Sequence, residues 1–391
     1  MLTILWPIYL ITTMIYVMPS GLPQPSALFL GAAFILIFLA PFARVGKQVD
    51  TSLALLFSFV SWCILVSVAW FVWTSELIYV KAPLYYLYNS IAFITVVQLA
   101  CRDPGHFVKL TQNTLLLMLL LQVAFIAVLP NRVNDVLERE IGTFNEANQL
   151  AYWAILSIST YMLMPCRRLA ADLAVMAAGI WVVIASTSKA GLLAVAIATV
   201  LWVVLDFRRQ DRSLTLVGLG LAALLVIGGM LDHGITLPDN ERIDLLRQRV
   251  DRSVPEPDDT LMGRGYTTIL EHPTFLPFGA AEGNFGALAR DENGVFQPGE
   301  LHSTFGAVLM GYGIVGLTLF LGFLLAIACS GGIAASLWMM PGLIYGIAHQ
   351  GLRFSPFWIM LACVASARRM TARSPGIAAA EPATRPAPRC T

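Results

Sequence analysis

Residues 300–328 read ELHSTFGAVLMGYGIVGLTLFLGFLLAIA. A short polar lead, Glu300 to Ser303, gives way to an uncharged run long enough to cross a hydrocarbon core of roughly 30 Å at about 1.5 Å of rise per helical residue. The pattern recurs along the chain: apolar segments of this length, with polar groups gathered at their mouths. Immediately upstream lies the longest polar stretch, about Asp232 to Leu301. It contains Gly263-Arg264-Gly265, Glu271-His272-Pro273-Thr274-Phe275 and the glycine-rich Phe278-Gly279-Ala280-Ala281-Glu282-Gly283-Asn284-Phe285. A chain that spends most of its length on spans and gathers His, Arg, Glu and Asn in one segment is expected to carry its chemistry there.

Composition agrees with this reading. Hydrophobic residues make up 57% of the chain and charged residues 13%, with mean hydropathy +0.72, whereas a soluble domain carries about 25% charged residues. An all-α polytopic membrane protein is expected, with about twelve transmembrane helices and one large extracytoplasmic loop that contains short helices. The spans fall near 2–18, 26–42, 53–73, 78–100, 109–129, 147–164, 171–187, 190–205, 214–231, 303–328, 333–349 and 353–367. Helices one to nine thus occupy 1–231, the loop 232–301, helices ten to twelve 302–367, and a Pro- and Ala-rich cytoplasmic tail that reads as disordered 368–391. Met1 to Pro19 has neither the basic start nor the small-residue cleavage site of a signal peptide and reads as the first span.

Orientation follows from the short loops. Arg44 and Lys47, Arg102 and Lys109, Arg167 and Arg168, then Arg208, Arg209 and Arg212 occupy alternate connections, and Arg368, Arg369 and Arg373 follow the last span, so these face the cytoplasm. The large loop then lies outside. A net charge of +1 distributed by topology gives no face for nucleic acid. Cys101, Cys166, Cys329 and Cys390 fall on the cytoplasmic side and Cys63 and Cys363 inside spans, so no disulfide is expected.

Three constellations at outer mouths could carry chemistry. Asn145, Glu146 and Asn148, followed by Gln149, Tyr152 and Trp153, suit hydrogen bonding and stacking against a sugar, though the same residues also read as a helix cap and an aromatic belt. The hairpin Ser186-Thr187-Ser188-Lys189-Ala190-Gly191 opens span eight, where free amide groups, the dipole and Lys189 favour an anion; a snorkelling lysine is the plainer reading. In the large loop, Asp239 to Val250 patterns as a short amphipathic helix lying on the membrane surface or against the bundle, and a second helix carries Arg264, Tyr266, Ile269 and Leu270 and ends before Pro273. Arg264 stands between glycines that give a ligand close access, and its fork can grip two phosphate oxygens. His302, in the expected first turn of span ten, is favoured as a neutral imidazole able to take a proton, though the same residue also reads as an interfacial cap; His272 and His349 compete with it. No zinc-ligand spacing occurs on the outer face.

Asn145 to Trp153, Ser186 to Gly191, Arg264 to Phe285, and His302 to Gly316 with its Gly311-Tyr312-Gly313-Ile314-Val315-Gly316 ending together make the chain resemble the bacterial superfamily of O-antigen ligases and O-antigen or exopolysaccharide polymerases. Each motif is degenerate, and the specificity lies in their combination over about 142–316. One departure is Lys189, where the family usually has the arginine of Ser-Arg-x-Gly.

The resemblance implies a metal-independent, cofactor-free glycosyltransferase in the bacterial cytoplasmic (inner) membrane with its active site on the periplasmic side. Its donor would be a glycan on polyprenyl diphosphate, and its acceptor a hydroxyl of another glycan or of lipid A core. In that scheme His302 is the catalytic base, Lys189 and Arg264 bind the diphosphate, and Asn145, Glu146, Asn148, Glu282 and Asn284 bind substrate. Polymerase and ligase share this donor chemistry and stay undivided. The rival from another class is a polysaccharide-related lipid flippase or secondary transporter, which would place ionisable residues near the middle of the bilayer; a purely structural assembly protein is the third reading.

Overall fold

The computed structural model describes residues 2–18, 24–39, 47–129, 133–134, 139–206, 266–282 and 301–372. Its helices are α1 (Leu2–Thr13), α2 (Ser26–Phe38), α3 (Lys47–Thr74), α4 (Ile78–Arg102), α5 (Pro104–Val128), α6 (Ala147–Met162), α7 (Leu169–Ala185), α8 (Lys189–Asp206), the short α9 (Thr267–Glu271), α10 (Thr304–Gly331), α11 (Ile333–Leu337), α12 (Met340–Ala348) and α13 (Ser355–Ala372). Four of them, α3, α4, α5 and α10, are long and apolar enough to cross a membrane, and α2, α7 and α8 are shorter apolar helices. The described chain is therefore mostly helical and consistent with an all-α membrane protein. The expected ninth span, the expected loop helix at 239–250, Arg264 and Asn284 lie outside the described residues.

Three differences from the expected spans have local causes. The eleventh is broken into α11 and α12 by a turn at Trp338-Met339, where Pro341, which has no amide hydrogen, sits in the first turn of a new helix instead of the interior of an old one. α13 runs on to Ala372, so Arg368 and Arg369 belong to a helix and not to the tail. A two-residue antiparallel pair, β1 (Val133–Asn134) and β2 (Arg139–Glu140), occupies a connection for which no strand was expected, with Val133 opposite Glu140.

Two helices form the centre. α6 is buried at every position from Leu150 to Met162 and α13 from Phe357 to Ala367. A helix apolar all round must be covered on all sides, and α6 packs against α5, α7, α8, α12 and α13, while α13 packs against α4, α10, α6 and α3. α10 lies along α3.

Polar contacts mark the two ends of the bundle. At one, Arg102 donates to the Ile37 carbonyl (3.1 Å), Arg368 to Gln48 (3.2 Å) and Gln112 to the Pro165 carbonyl (2.9 Å), and Arg167 pairs with Asp172 (3.0 Å). At the other lie the C-termini of α1 and α12 and the N-termini of α2, α4, α6, α10 and α13.

Candidate functional site

That second end holds a cavity of about 390 Å³. Its walls come from five helix starts and two helix ends: Gln24 and Ser26 at α2, Lys81 and Tyr85 in α4, Glu146 and Gln149 at α6, His302 ahead of α10, Ser355 at α13, Tyr16 after α1, and His349, Gln350 and Arg353 after α12. Helix N-termini present unpaired amides and positive dipole ends, and five of them against two C-termini and the Glu146 carboxylate leave a balance that favours an anion. The described cations on the lining are Lys81 and Arg353, and two imidazoles, His302 and His349, share the same space.

His302 stands one residue before the N-cap of α10. Ser303 is the cap, its hydroxyl accepting from the Gly306 amide at 3.1 Å, so His302 lies just outside the first turn where the sequence reading placed it. Thr304 then braces the facing loop: its hydroxyl donates to the His349 carbonyl and accepts from the Gly351 amide, both at 2.9 Å. The loop is further pinned at the Leu352 carbonyl by the Asn89 amide (2.9 Å) and the Trp358 indole (2.8 Å). A side chain at Gly351 would collide with the Tyr152 ring. Arg353 is therefore carried on a backbone that has little freedom.

Beneath Arg353 lies Glu282, and the way the chain brings it there joins two of the glycine motifs. α10 is interrupted at Gly313 (φ 68, ψ −171), roughly 13 Å from its start at about 1.5 Å per residue. Segment 276–281 docks on the break. The Ala280 amide donates to the Met310 carbonyl (2.8 Å), the Ala281 amide to the Gly311 carbonyl (2.9 Å), and the Ile314 amide to the Leu276 carbonyl (2.7 Å). The Trp62 indole takes the Tyr312 carbonyl (2.7 Å) and the Trp70 indole the Gly279 carbonyl (3.1 Å). Irregular backbone within a membrane-spanning bundle survives only when its polar groups are met by protein, and these bonds meet eight of them. Both glycines are required sterically: a Cβ at Gly279 would strike the Gly311 carbonyl, and one at Gly313 the Pro277 carbonyl.

The clamp delivers the Glu282 carboxylate into a buried pocket. It accepts from Arg353 Nη2 (2.9 Å) and Nε (3.2 Å), from the Gln350 amide (3.3 Å) and from the Tyr86 hydroxyl. Its side chain is 1% exposed, whereas that of Arg353 is 32% exposed and lies near the face of Tyr85, 5.7 Å from the ring centre.

Of the sequence-derived site residues, the structure brings His302 and Glu146 to the cavity. Glu282 sits behind it, bonded to Arg353. Asn145 is exposed and donates to the Met18 carbonyl (3.3 Å). Asn148 is engaged elsewhere: its side chain accepts from Arg139 (2.7 Å) and its carbonyl from the Tyr345 hydroxyl (2.8 Å). Lys189 is exposed at the start of α8 and is not among the cavity-lining residues. His272 meets the Phe275 ring and is also away from the cavity. Arg139 links this group, since it also donates to the Ser186 carbonyl in the α7–α8 hairpin (3.1 Å). Tyr345 connects the hairpin with the site, its hydroxyl 3.3 Å from that of Ser188 and its ring edge-on to His349 at 5.4 Å.

Sequence reasoning missed Lys81, Arg353 and Arg139. Arg353 stands at the very edge of an apolar segment, where an arginine ordinarily reads as an interfacial anchor, so no local signal set it apart. No protein-family model and no curated protein matches this chain.

Proposed function

We propose that the cavity is the headgroup site of a membrane glycosyltransferase that moves a glycan from a polyprenyl diphosphate to a sugar hydroxyl, as a repeat-unit polymerase or an O-antigen ligase. The observation that carries this reading is one cavity whose lining holds two imidazoles, a guanidinium and an ammonium beside the Glu146 carboxylate, where five helix starts and two helix ends meet. The resemblance in the sequence motifs points the same way.

The chemistry asks for those groups. The acceptor oxygen attacks the anomeric carbon, the bond from that carbon to the diphosphate oxygen breaks, and the diphosphate leaves with the electron pair. His302 takes the hydroxyl proton, and Arg353 and Lys81 face the charge that grows on the leaving group. Glu146 and Gln149, on the same lining, would bond sugar hydroxyls. Basic residues at the opposite end, among them Arg102, Arg167 and Arg368, support a cavity that opens on the outer face of the cytoplasmic membrane.

The test is reconstitution of the purified protein in proteoliposomes with a lipid-linked glycan. New glycosidic bonds are expected, and His302→Gln should abolish them, because an amide can hydrogen-bond the acceptor but cannot take its proton. Glycan carried across the bilayer with no new bond would establish a transporter instead. Near-normal transfer by His302→Gln would remove that residue from the role of base.

A further inference from the structure

We propose that Glu282 is a positioning residue: it acts through Arg353, holding the guanidinium where it meets an anionic headgroup in the cavity. The inference rests on the reading of the cavity as a diphosphate site.

The ion pair is asymmetric. Its carboxylate is shut away from the cavity and its guanidinium lies on the cavity wall. One carboxylate oxygen takes both Nε and Nη2 of Arg353, which sets the plane of the fork as well as its place. Gln350 and Tyr86 complete the carboxylate's bonds, so Glu282 is itself fixed in rotamer. The backbone behind it is fixed too: Ala281 holds a left-handed φ of 54, a conformation that persists when surrounding contacts over-determine it, here the bonds to Met310 and Gly311. A long arginine side chain on a mobile support would surrender rotamer freedom when it bound an anion; on this support the freedom is already lost.

The sign of the electrostatics makes the idea testable. A carboxylate behind an anion site repels the ligand through space. If Glu282 were only a counter-charge, its neutralisation would tighten binding. If it positions Arg353, its neutralisation weakens binding even though a negative charge has been removed.

The experiment measures binding of undecaprenyl diphosphate to the purified full-length protein in detergent by calorimetry, with thermal unfolding recorded for every variant. Arg353→Ala is expected to weaken binding roughly tenfold or more, and Glu282→Gln about fivefold. In the Arg353→Ala background, Glu282→Gln should change binding by less than about twofold, because the residue through which it acts is gone. Glu282→Asp keeps the charge but draws it back by one methylene, and should reproduce the loss in the Arg353 background alone; it decides the matter if Glu282→Gln fails to fold. Tighter or unchanged binding on neutralising Glu282 would overturn the proposal, as would an equal loss in both backgrounds, which would mean that Glu282 acts on the fold and not on Arg353. If Arg353→Ala itself left binding unchanged, the cavity reading would fall and this inference with it.

Discussion

Arg167 and Asp172 lie five residues apart and are both buried, at 8% and 3% side-chain exposure, whereas Arg353 and Glu282 are joined across 71 residues with exposures of 32% and 1%. The two pairs have nearly the same length, 3.0 and 2.9 Å, and sit at opposite ends of the bundle. In the first the charges face each other, with Arg167 also against the Met162 sulfur, and the pair ties the loop after α6 to the first turn of α7. In the second the anion is withdrawn and the cation is presented. Distance and burial of the carboxylate are shared, so the contrast lies in what the arginine faces.

That contrast can be broken by removing both charges at once. Replacing a buried pair by apolar residues of similar volume is often neutral or stabilising, while removing one partner costs about 3–5 kcal/mol. Arg167→Met/Asp172→Leu should therefore leave both the unfolding temperature and glycan transfer close to those of the parent, and Arg167→Ala alone should lower stability markedly. Arg353→Met/Glu282→Leu should also fold, but transfer should fall by roughly a hundredfold or more, the size of effect seen when a preorganised charge-stabilising donor is lost. Rates at matched protein level and thermal unfolding measure both quantities. Retained transfer in the second double variant would make Arg353–Glu282 as purely structural as its counterpart.

A smaller effect tests the support of the second pair. Gly279→Ala places a Cβ against the Gly311 carbonyl at a φ of 95, so it should destabilise by more than about 1 kcal/mol. Amides 276–282 and 310–314 should lose protection from hydrogen exchange together, with transfer down about tenfold as Arg353 loses its anchor. Gly322→Ala, farther along α10 and only in ordinary contact with Leu55, is the control, and should be neutral or slightly stabilising. Equal behaviour of the two substitutions would show that segment 276–281 does not hold Glu282.

Hydropathy made most of the helices legible, because a bilayer asks for long apolar runs wherever they occur. It could not show that the run 333–349 divides, since Trp338 and Met339 are as apolar as their neighbours and only Pro341 hints at the break. At the site, His302 and Glu146 were legible because polar residues at a span mouth stand out locally. Arg353 was read as the first residue of the last span, and Glu282 as one polar group in a glycine-rich turn. Their relation depends on segment 276–281 docking on the break in α10, a contact between backbone groups that no local pattern encodes. Gly279 and Gly313 were visible as glycines, but their need to be glycine comes from each other's strand of backbone.

The smallest expected effect separates the cavity from the hairpin to which the family resemblance, through Lys189, assigned the diphosphate. Lys189 stands at a helix N-terminus, which made it a natural anion ligand on paper, but it is exposed and absent from the cavity lining, while Arg139, Asn148 and Tyr345 engage one another and the hairpin serines. An exposed cation at the same end of the molecule still raises the local potential felt by an anionic headgroup, and such an effect is screened over a Debye length of about 8–10 Å at ordinary salt. Lys189→Ala should therefore reduce transfer by roughly tenfold or less, and the difference from the parent should shrink as ionic strength is raised. The loss in Arg353→Ala should be larger and persist at high salt, because a partly buried contact is screened much less. Transfer rates of the two variants across a salt series decide between the sites. If Lys189→Ala were the more damaging of the two at every salt concentration, the leaving group would sit at the hairpin, and Arg353 with its buried carboxylate would be a brace for the loop after α12.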